Sequence, residues 1–307
     1  MATTINSHRF SPILVLIVLF CAHSANAAGD PPDVTYRTHA NEVRLTFSVS
    51  DQNHHGVATL QAGDFAVVDK DLIVRRFQSF TRSNSTQLEI AVLVDASGSV
   101  APRFGNELAD LLDLLSQTAG IPEKNLSVFS FRDLQPELVC SGNCRQPHAA
   151  ELVPAPRSGD LTPLFDTIIF ASNFLSQRAD NNAQKILIVL SDGQDSISRH
   201  SLADATDVAM KAAVQIYAID LNRNPSSQGS AVLYRFAEAT GGRCFSGPNA
   251  PGRAMNVILE DFKASYIVTY KLPSNDSGFH ALQVLPTHNS NLQFRSRSGY
   301  YFSEDNQ

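Results

Sequence analysis

Three oxygen-bearing side chains stand at alternate positions directly after a largely apolar run of the sequence. The run extends from Leu88 to Val94, and Asp95, Ser97 and Ser99 follow it. A buried strand that ends in this way presents all three side chains from one tight loop at the carboxyl edge of a sheet, where open α/β folds place their binding sites. Carboxylate and hydroxyl oxygens are hard ligands of the kind that Mg²⁺ and Ca²⁺ prefer. The spacing therefore predicts part of a divalent-cation site.

This Asp-x-Ser-x-Ser spacing resembles the signature of the von Willebrand factor type A (VWA) domain, in which it forms the first part of a metal-ion-dependent adhesion site (MIDAS). The resemblance implies that a second loop contributes a threonine and a third loop an aspartate. The stretch from Gly159 to Asp166 is similar to the second loop, with one extra residue between its glycine and its threonine. The triplet Ser191-Asp192-Gly193 is similar to the third loop. The metal ligands that the resemblance implies are Asp95, Ser97, Ser99, Thr162 and Asp192.

The same resemblance implies the chemistry of the site. Mg²⁺ is the expected cation, with Mn²⁺ or Ca²⁺ as alternatives. In the family pattern the serines and the threonine bind the ion directly, while the aspartates bind directly or through water. One coordination position stays open for an acidic residue of a partner protein. The expected chemistry is therefore binding, which requires neither a base nor a nucleophile from the protein.

Taken alone, the Asp95 loop is also typical of a strand-ending turn in which Asp95 and Ser97 satisfy backbone donors. Its position after a hydrophobic strand, and the sequence order of the three loops, favour the metal site. Further carboxylates lie close to these loops. We expect Asp195 to be an ordinary loop carboxylate, with support of a metal ligand as the alternative, and Asp166 to form local hydrogen bonds near the start of a helix.

Between residues 87 and 263, strand-like runs alternate with helical ones, which predicts a Rossmann-like α/β domain with a doubly wound, mostly parallel sheet. The β-rich run at 186–190 is expected to be a central strand of that sheet. Further strands are predicted at 126–131 and 214–221. Helices are predicted at 104–115, 163–177, 202–213, 231–240 and 255–262.

The segments on either side of this domain, 34–86 and 264–303, alternate apolar and polar residues with a period of two. The last of these alternating runs, 292–302, is predicted to be a strand. Neither segment alone has enough strands for a stable two-layer structure. We therefore predict that they combine into one small β-sandwich-like module, with the α/β domain inserted between them. Two separate, independently folding β modules are the alternative.

The N-terminus, residues 1–27, has the pattern of a secretory signal peptide. An apolar run from Ile13 to Ala22 precedes the small residues Ala25-Asn26-Ala27, so cleavage is expected before Ala28. About ten apolar residues are too few to span a bilayer, which needs roughly 20. An uncleaved anchor is the alternative. The mature chain is expected to have no integral membrane span and to be secreted or periplasmic.

Three cysteines follow the predicted cleavage site, and export suggests an oxidising compartment. Cys140 and Cys144 flank a turn-forming Ser-Gly-Asn insert and are the candidates for a disulfide. Cys244 is then unpaired, or it pairs with one of the two in a longer bridge. Because His148 follows Cys144 by four residues, a zinc site is a further alternative.

The net charge of the chain and the motifs that it lacks argue against two classes of function. The formal net charge of −6 argues against nucleic-acid binding, which favours basic surfaces. The Arg75-Arg76 pair and the alternating Arg295 and Arg297 are expected on solvated strand faces. The sequence contains no Walker A loop, His-Glu-x-x-His or Gly-x-Ser-x-Gly motif, so we expect no enzyme.

The flanking segments extend the resemblance. The run from Val57 to Val67 and the Gly299-Tyr300-Tyr301 end resemble a VWA-related family found widely in Acidobacteria. The function expected from the whole pattern is an exported, metal-dependent protein-binding module for adhesion or interaction. The alternative is a structural or assembly component of the cell envelope, in which the VWA fold is a scaffold and the metal is incidental.

Overall fold

The computed structural model describes residues 42–53, 55–83, 87–100, 123–142, 144, 161–179, 183–222, 224, 226–247, 250–288 and 291–303. All of them belong to the unit Val34–Gln307. Four features of the sequence lie outside the described residues: the predicted signal peptide at 1–27, the predicted helix at 104–115, His148 and Gly159.

Strands and helices alternate through the middle of the described chain, and strands alone flank them. The strands are β1 (Glu42–Ser50), β2 (Phe65–Asp69), β3 (Leu72–Val74), β4 (Ser79–Arg82), β5 (Leu88–Asp95), β6 (Leu126–Arg132), β7 (Gln135–Ser141), β8 (Gln184–Ser191), β9 (Val214–Asp220), β10 (Cys244–Ser246), β11 (Ser265–Lys271), β12 (Gly278–Pro286), β13 (Gln293–Ser296) and β14 (Gly299–Phe302). The helices are α1 (Leu164–Arg178), α2 (Leu202–Lys211), α3 (Gln228–Thr240) and α4 (Ala250–Lys263), with a 3₁₀ turn at Glu123–Asn125.

The central sheet has the strand order β10-β9-β8-β5-β6-β7. All its strands run parallel except β7, which pairs antiparallel with β6 at one edge. This confirms the predicted α/β fold with a mostly parallel sheet. Because β5 and β8 are neighbours, the chain segments that follow them leave the sheet side by side at its carboxyl edge. Two edge strands were missed by the prediction, because β7 is largely exposed and contains a proline, while β10 has only three residues.

Helices cover both faces of this sheet, which explains its continuous apolar runs. In β5, Ile90, Val92 and Val94 pack into a core shared with α4. The intervening Ala91 and Leu93 pack into a second core shared with α1, α2 and α3. The apolar positions from Ile90 to Val94 are therefore all buried, so this part of the strand shows no alternation of polar and apolar residues.

The predicted helices within the described residues are present, and the start of α2 at Leu202 is as predicted, while the starts of the others are shifted. Helix α3 begins three residues before the predicted position because the Ser227 hydroxyl accepts a hydrogen bond from Ser230 N at 3.0 Å and caps it. Helix α4 begins at Ala250, five residues before the predicted start. Within the described part of the chain, none of the helices has the length and apolar character needed to cross a bilayer.

The flanking strands form two four-stranded sheets, β13-β1-β11-β4 and β14-β12-β2-β3. Each sheet takes two strands from the N-terminal segment and two from the C-terminal segment. Their inner faces share one core, in which Phe47 of the first sheet contacts Phe65 of the second with ring centroids 4.9 Å apart. The fold is thus an α/β domain flanked by antiparallel sheets, in which strands that precede the domain pair with strands that follow it.

The prediction of one strand over 292–302 is wrong. This run forms β13, which pairs with β1, and β14, which pairs with β12 in the other sheet. Arg297 and Ser298 lie at the crossing, where Ser298 N donates to Ala239 O at 2.8 Å. The hydrophobic pattern is the same on both sides of the break, because both halves face the same core.

The expectation of solvated strand faces holds for one pair of arginines and fails for the other. Arg75 and Arg76 are exposed. Arg295 and Arg297 are half-buried instead. Arg295 Nη2 lies 2.5 Å from Asp261 Oδ1, and the Arg297 guanidinium lies 5.7 Å from the centre of the Tyr300 ring. Arg295 is therefore held by a partner that is distant in the sequence, and Arg297 by a ring three residues away.

A buried polar cluster around Asp69 joins the two flanking segments. Asp69 and His280 are fully buried, and His280 Nδ1 lies 3.1 Å from Asp69 Oδ1. The hydroxyls of Tyr270 and Tyr300 each donate to Asp69 Oδ2 at 2.8 Å. One carboxylate of the N-terminal segment is therefore paired with three side chains of the C-terminal segment.

Cys140 and Cys144 form a disulfide, with their Cα atoms 5.4 Å apart. Cys244 carries a free thiol. With both sulfurs in the short bridge, neither the longer bridge to Cys244 nor a zinc site of Cys140 and Cys144 forms.

Candidate metal centre

Asp95 is the last residue of β5, and its side chain is fully buried at the carboxyl edge of the sheet. Its Oδ1 accepts a hydrogen bond from Ser97 N at 2.9 Å. Its Oδ2 accepts one from the Ser191 hydroxyl at 2.6 Å, so the end of β8 is tied to the end of β5. These bonds orient the carboxylate within the edge rather than toward bulk solvent.

The Ser97 and Ser99 hydroxyls lie 3.2 Å apart. Ser97 is buried and Ser99 is exposed. Two neighbouring ligands of an octahedral Mg²⁺ or Mn²⁺ ion, each at roughly 2.1 Å from the metal, are about 3.0 Å from each other. The separation of the two hydroxyl oxygens therefore fits adjacent positions on one such ion.

Asp192 directly follows β8 and is also buried. Its Oδ1 accepts a hydrogen bond from Gln194 N at 3.0 Å, and its backbone oxygen accepts one from Asn222 Nδ2 at 2.6 Å. The next residue, Gly193, has a φ of +74°. A Cβ at Gly193 would lie 2.1 Å from the Gly229 oxygen of α3, so only glycine fits here and the loop lies directly against that helix.

Thr162 lies two residues before α1 and is buried. Its backbone is paired twice with Ser196 in the loop after β8. Thr162 N donates to Ser196 Oγ at 2.8 Å, and Ser196 N donates to Thr162 O at 2.9 Å. The threonine and aspartate loops of the resemblance are therefore held together, although 30 residues separate Thr162 from Asp192 in the sequence.

Further hydrogen bonds extend this connection to the first turn of α1. Asp195 Oδ1 accepts from Phe165 N at 3.2 Å and from the Ser198 hydroxyl at 2.5 Å. Ser198 Oγ in turn accepts from Asp166 N at 3.1 Å. Asp195 therefore does more than an ordinary loop carboxylate, because its side chain fixes the start of α1 to the loop after β8.

Asp166 forms hydrogen bonds, but its partners are not local. Its carboxylate accepts from Arg199 N and His200 N, each at 3.1 Å, and lies 2.7 Å from His200 Nδ1. Although burial opposes the effect, these backbone bonds and the contact with His200 lower the pKa of Asp166 below its usual value. Asp166 therefore holds the far end of the same loop.

The electrostatics of the edge favour a bound cation. Burial raises the pKa of Asp95 to about 6, against the opposing effect of the hydrogen bonds from Ser191 and Ser97. The nearby negative charge of Asp192 raises it further. Two carboxylates that repel each other in a buried place lose that repulsion when a divalent cation lies between them.

The structure thus places four of the predicted ligands on two neighbouring strand ends, and it ties the loop of Thr162 to one of them. That all five bind a single ion stays a prediction. Within the described part of the chain, no group of three or more His, Cys, Asp or Glu side chains is placed to hold a metal. A metal at this edge therefore depends on hydroxyl ligands, as the Ser97, Ser99 and Thr162 set supplies.

Like Ser196 and Ser198, three further residues of the centre had no predicted role. Ser191 binds the Asp95 carboxylate, and Gly229 makes room for the Asp192 loop. The third, Asp220, is a buried carboxylate that ends β9 opposite Ser191. Its Oδ1 accepts from the backbone and side-chain nitrogens of Asn222. Asp220 follows an apolar strand just as Asp95 does, so the same pattern could have found it.

A mostly parallel α/β sheet with hydroxyl and carboxylate side chains at its carboxyl edge defines a recognisable class of domain. Residues 90–194 match the family model of the von Willebrand factor type A domain, so this part of the chain is a VWA domain. The match begins in β5 and ends just after Asp192. Among curated proteins, sequence comparison finds no match.

Solved structures of low sequence identity resemble the fold. Manganese-loaded TRAP protein of Plasmodium vivax is 16% identical, with a TM-score of 0.43 over 77% of this chain and 99% of that one. Proximal thread matrix protein 1 of the mussel byssus is 17% identical, with a TM-score of 0.46 over 63% of this chain and 50% of that one. A form of the mussel protein with a zinc-occupied MIDAS motif is 18% identical, with a TM-score of 0.42 over 58% of this chain and 48% of that one.

Proposed function

We propose that this protein is an exported, metal-dependent protein-binding module that uses a MIDAS-type cation to bind a carboxylate of its partner. The observation that carries the proposal is the 3.2 Å separation of the Ser97 and Ser99 hydroxyls beside the buried Asp95. That separation suits two neighbouring positions on one octahedral cation. The VWA domain at residues 90–194 supports the same assignment.

Five side chains would hold the ion: Asp95, Ser97, Ser99, Thr162 and Asp192. Because three of these ligands are neutral hydroxyls, the ion keeps much of its positive charge. When bound, it supplies a Lewis-acidic contact for an incoming carboxylate. Mg²⁺ fits a small all-oxygen site of this kind best, with Mn²⁺ and Ca²⁺ as alternatives. Asp195 and Ser196 keep the threonine and aspartate loops in register.

We propose binding rather than catalysis. The residues at the edge are carboxylates and hydroxyls whose hydrogen bonds run to one another and to the backbone. The Ser97 side chain has two partners, the Ser99 hydroxyl and the Asp95 carboxylate, and both belong to the proposed ligand set. Among the described residues, the sheet edge thus supplies ligands for an ion rather than the serine–histidine pair of an acyl-transfer enzyme.

Export of the mature chain to the periplasm or the medium is part of the proposal. It is supported by the signal-peptide pattern at residues 1–27 and by the disulfide between Cys140 and Cys144, which is typical of oxidising compartments. The finer resemblance to the VWA-related family of Acidobacteria stays a prediction.

The metal site is tested by titrating the mature protein with Mg²⁺ and Mn²⁺ in a calorimeter. Ser99→Ala removes one ligand from an exposed position, and we expect it to weaken cation binding by about tenfold or more, or roughly 1.4 kcal/mol. Ser274→Ala removes an exposed hydroxyl in the β11–β12 connection and is the matched control. Equal affinity in the two variants would contradict the assignment of Ser99.

The partner is tested by capture from envelope extracts, followed by mass spectrometry. We expect proteins that are retained with Mg²⁺, released by a chelator, retained again when Mg²⁺ is restored, and absent when the bait is Ser99→Ala. Partners that stay bound in the presence of the chelator and also bind Ser99→Ala would instead support the alternative, an envelope scaffold in which the metal is incidental.

A further inference from the structure

The outer face of the second flanking sheet, β14-β12-β2-β3, is apolar where an antiparallel sheet ordinarily presents polar residues to solvent. Strand β12 shows this most clearly. Burial alternates along the strand, so that Leu282 and Val284 lie in the core that the two flanking sheets share, and the residues between them face outward. The outward side chains of β12 are Phe279, Ala281, Gln283 and Leu285, of which only Gln283 is polar.

The neighbouring strands continue the same face. Directly paired residues of adjacent antiparallel strands lie on the same side of a sheet. The register therefore adds Tyr301 of β14, Ala66 and Val68 of β2, and Ile73 of β3. None of the outward positions that the structure describes in these four strands carries a charged side chain. Asp69 and His280 belong to the buried cluster on the other side of the sheet.

Four large side chains of this face are exposed to solvent. They are between 40% and 62% exposed, and they are Ile73, Phe279, Leu285 and Tyr301. The rings of Phe279 and Tyr301 lie against each other with their centroids 5.2 Å apart, so together they form one aromatic surface. Contiguous apolar surface that stays exposed to water is typical of an interaction site.

The first flanking sheet, β13-β1-β11-β4, has the opposite arrangement. Its outward positions are mostly polar, as with Arg44, Thr46 and Ser48 of β1 and Thr269 of β11. Arg44 and Thr46 line the junction with the starts of β8 and β9. The polar outer face is thus turned toward the α/β domain, and the apolar outer face is left at the surface. Packing within the described part of the chain therefore does not account for the apolar residues of the second sheet.

A second copy of the same face fits this pattern of charge. In a two-fold dimer a surface meets itself, so a charged side chain near the axis would face a like charge. The described outward positions avoid this repulsion. At the margin, Tyr301 has one charge of each sign beside it, since its hydroxyl donates to Asp207 Oδ2 at 3.1 Å and Lys211 Nζ lies 5.3 Å from the centre of its ring. The face is therefore electrostatically compatible with its own copy.

The size of the face sets the strength of such a dimer. Four strands spaced by about 4.8 Å, with an average of about five residues of roughly 3.3 Å each, give a face of roughly 300 Å². A stable dimer typically buries about 800 Å² on each partner, and weak or transient pairs bury less. A face of this size therefore predicts a weak, reversible dimer rather than a permanent one.

We propose that the outer face of the second flanking sheet packs against the same face of a second copy of this chain and forms a weak, two-fold dimer. The two sheets stack about 10 Å apart, with the apolar side chains of both copies between them. The dimer carries two candidate metal centres, but its own contact contains no metal ligand. Dimer formation is therefore independent of the function proposed for the metal centre.

Sedimentation equilibrium of the mature protein, in a chelator and from micromolar to millimolar concentrations, tests the dimer. We expect a reversible monomer–dimer equilibrium with a dissociation constant on the order of 100 µM. Because the contact is apolar, sodium sulfate should increase the dimer fraction, whereas a dimer held by ion pairs would dissociate at high ionic strength. A chain that stays monomeric at every concentration, or a dimer that sulfate dissociates, would overturn the proposal.

Matched variants locate the contact. Leu285→Lys puts a charge into the stacked apolar surface, where it loses its water, and should weaken dimerisation by about tenfold or more. Leu138→Lys makes the same change at an exposed leucine of β7, in the central sheet, and should have no effect. If Leu285→Lys does not fold, Ile73→Lys at the edge of the same face serves as the second test. Unchanged dimerisation in a folded Leu285→Lys or Ile73→Lys variant would show that the face is not the contact and would contradict the proposal.

Discussion

At the scale of single residues, Asp95 is the side chain of the candidate metal centre whose charge is most strongly opposed by burial. It is fully buried, it lies near the charge of Asp192, and its described hydrogen-bond donors are neutral groups. Keeping this carboxylate ionised in the metal-free protein therefore costs stability. A residue that is retained at such a cost is typical of a binding site rather than of a structural core.

This cost predicts that Asp95→Asn stabilises the metal-free protein while it abolishes cation binding. The folded-state pKa of Asp95, about 6, lies above its ordinary value of 3.8, so protonation favours the folded state. The wild type should lose stability relative to Asp95→Asn as the pH rises from about 4 to 6, by up to about 3 kcal/mol, and the difference should stay constant above that. Urea unfolding in the presence of a chelator, at pH 4 and at pH 7, measures it. A variant that is less stable than the wild type at pH 7 would contradict this explanation.

At the scale of elements, the loop after β8 organises the centre. It carries Asp192, it is fixed to the start of α1 through Asp195 and Ser196, and it lies against the first turn of α3 at Gly193. A Cβ at Gly229 of α3 would lie 2.0 Å from the Asp192 backbone oxygen. The position of Asp192 therefore depends on a glycine 37 residues further along the chain.

We predict that Gly229→Ala weakens Mg²⁺ binding by about tenfold or more, because the new methyl group displaces the backbone of Asp192. The helix itself should not suffer, since alanine favours a helix over glycine by roughly 1 kcal/mol. Gly63→Ala is the control, because no atom lies within 4 Å of a Cβ at that exposed glycine. Mg²⁺ titrations of the two variants, each checked for folding by circular dichroism, measure the effect. Identical affinities would show that the contact between α3 and the loop does not position Asp192.

At the scale of the whole molecule, the two ends of the chain depend on each other. In both outer sheets, strands of the N-terminal segment pair with strands that lie more than 180 residues later. The Asp69 cluster adds a buried polar connection between the same segments. The stability of the flanking strands is therefore a property of the full chain.

We predict that Asp69→Asn lowers the free energy of unfolding by roughly 1–3 kcal/mol, because it replaces a buried carboxylate oxygen that accepts hydrogen bonds in this cluster by an amide nitrogen. Asp71→Asn makes the same change two residues away, at an exposed turn position with a φ of +67° that asparagine tolerates, and should have little effect. Denaturant unfolding of both variants gives the comparison. Similar stabilities would mean that the cluster does not hold the segments together.

The sequence predicts those features of the molecule that depend on local patterns. The apolar runs of β5 and β8 predict buried parallel strands, and the residues that follow them identify the edge at which a site could form. The split of 292–302 between two sheets depends on pairing with β1 and β12, which no local pattern contains. Likewise, the partners of Asp166 lie more than 30 residues away, and the fit of Gly229 against the Asp192 loop exists only once α3 has packed.

The most direct test of the central claim is a calorimetric titration of Mg²⁺ into the mature wild type, Asp95→Asn and Asp71→Asn. The claim is that the edge formed by Asp95, Ser97 and Ser99 binds one divalent cation. We expect the wild type and Asp71→Asn to bind one Mg²⁺ per chain with equal affinity, and Asp95→Asn to show no binding at the same concentrations. Equal binding by Asp95→Asn, or no saturable binding of Mg²⁺, Mn²⁺ or Ca²⁺ by the wild type, would contradict the claim.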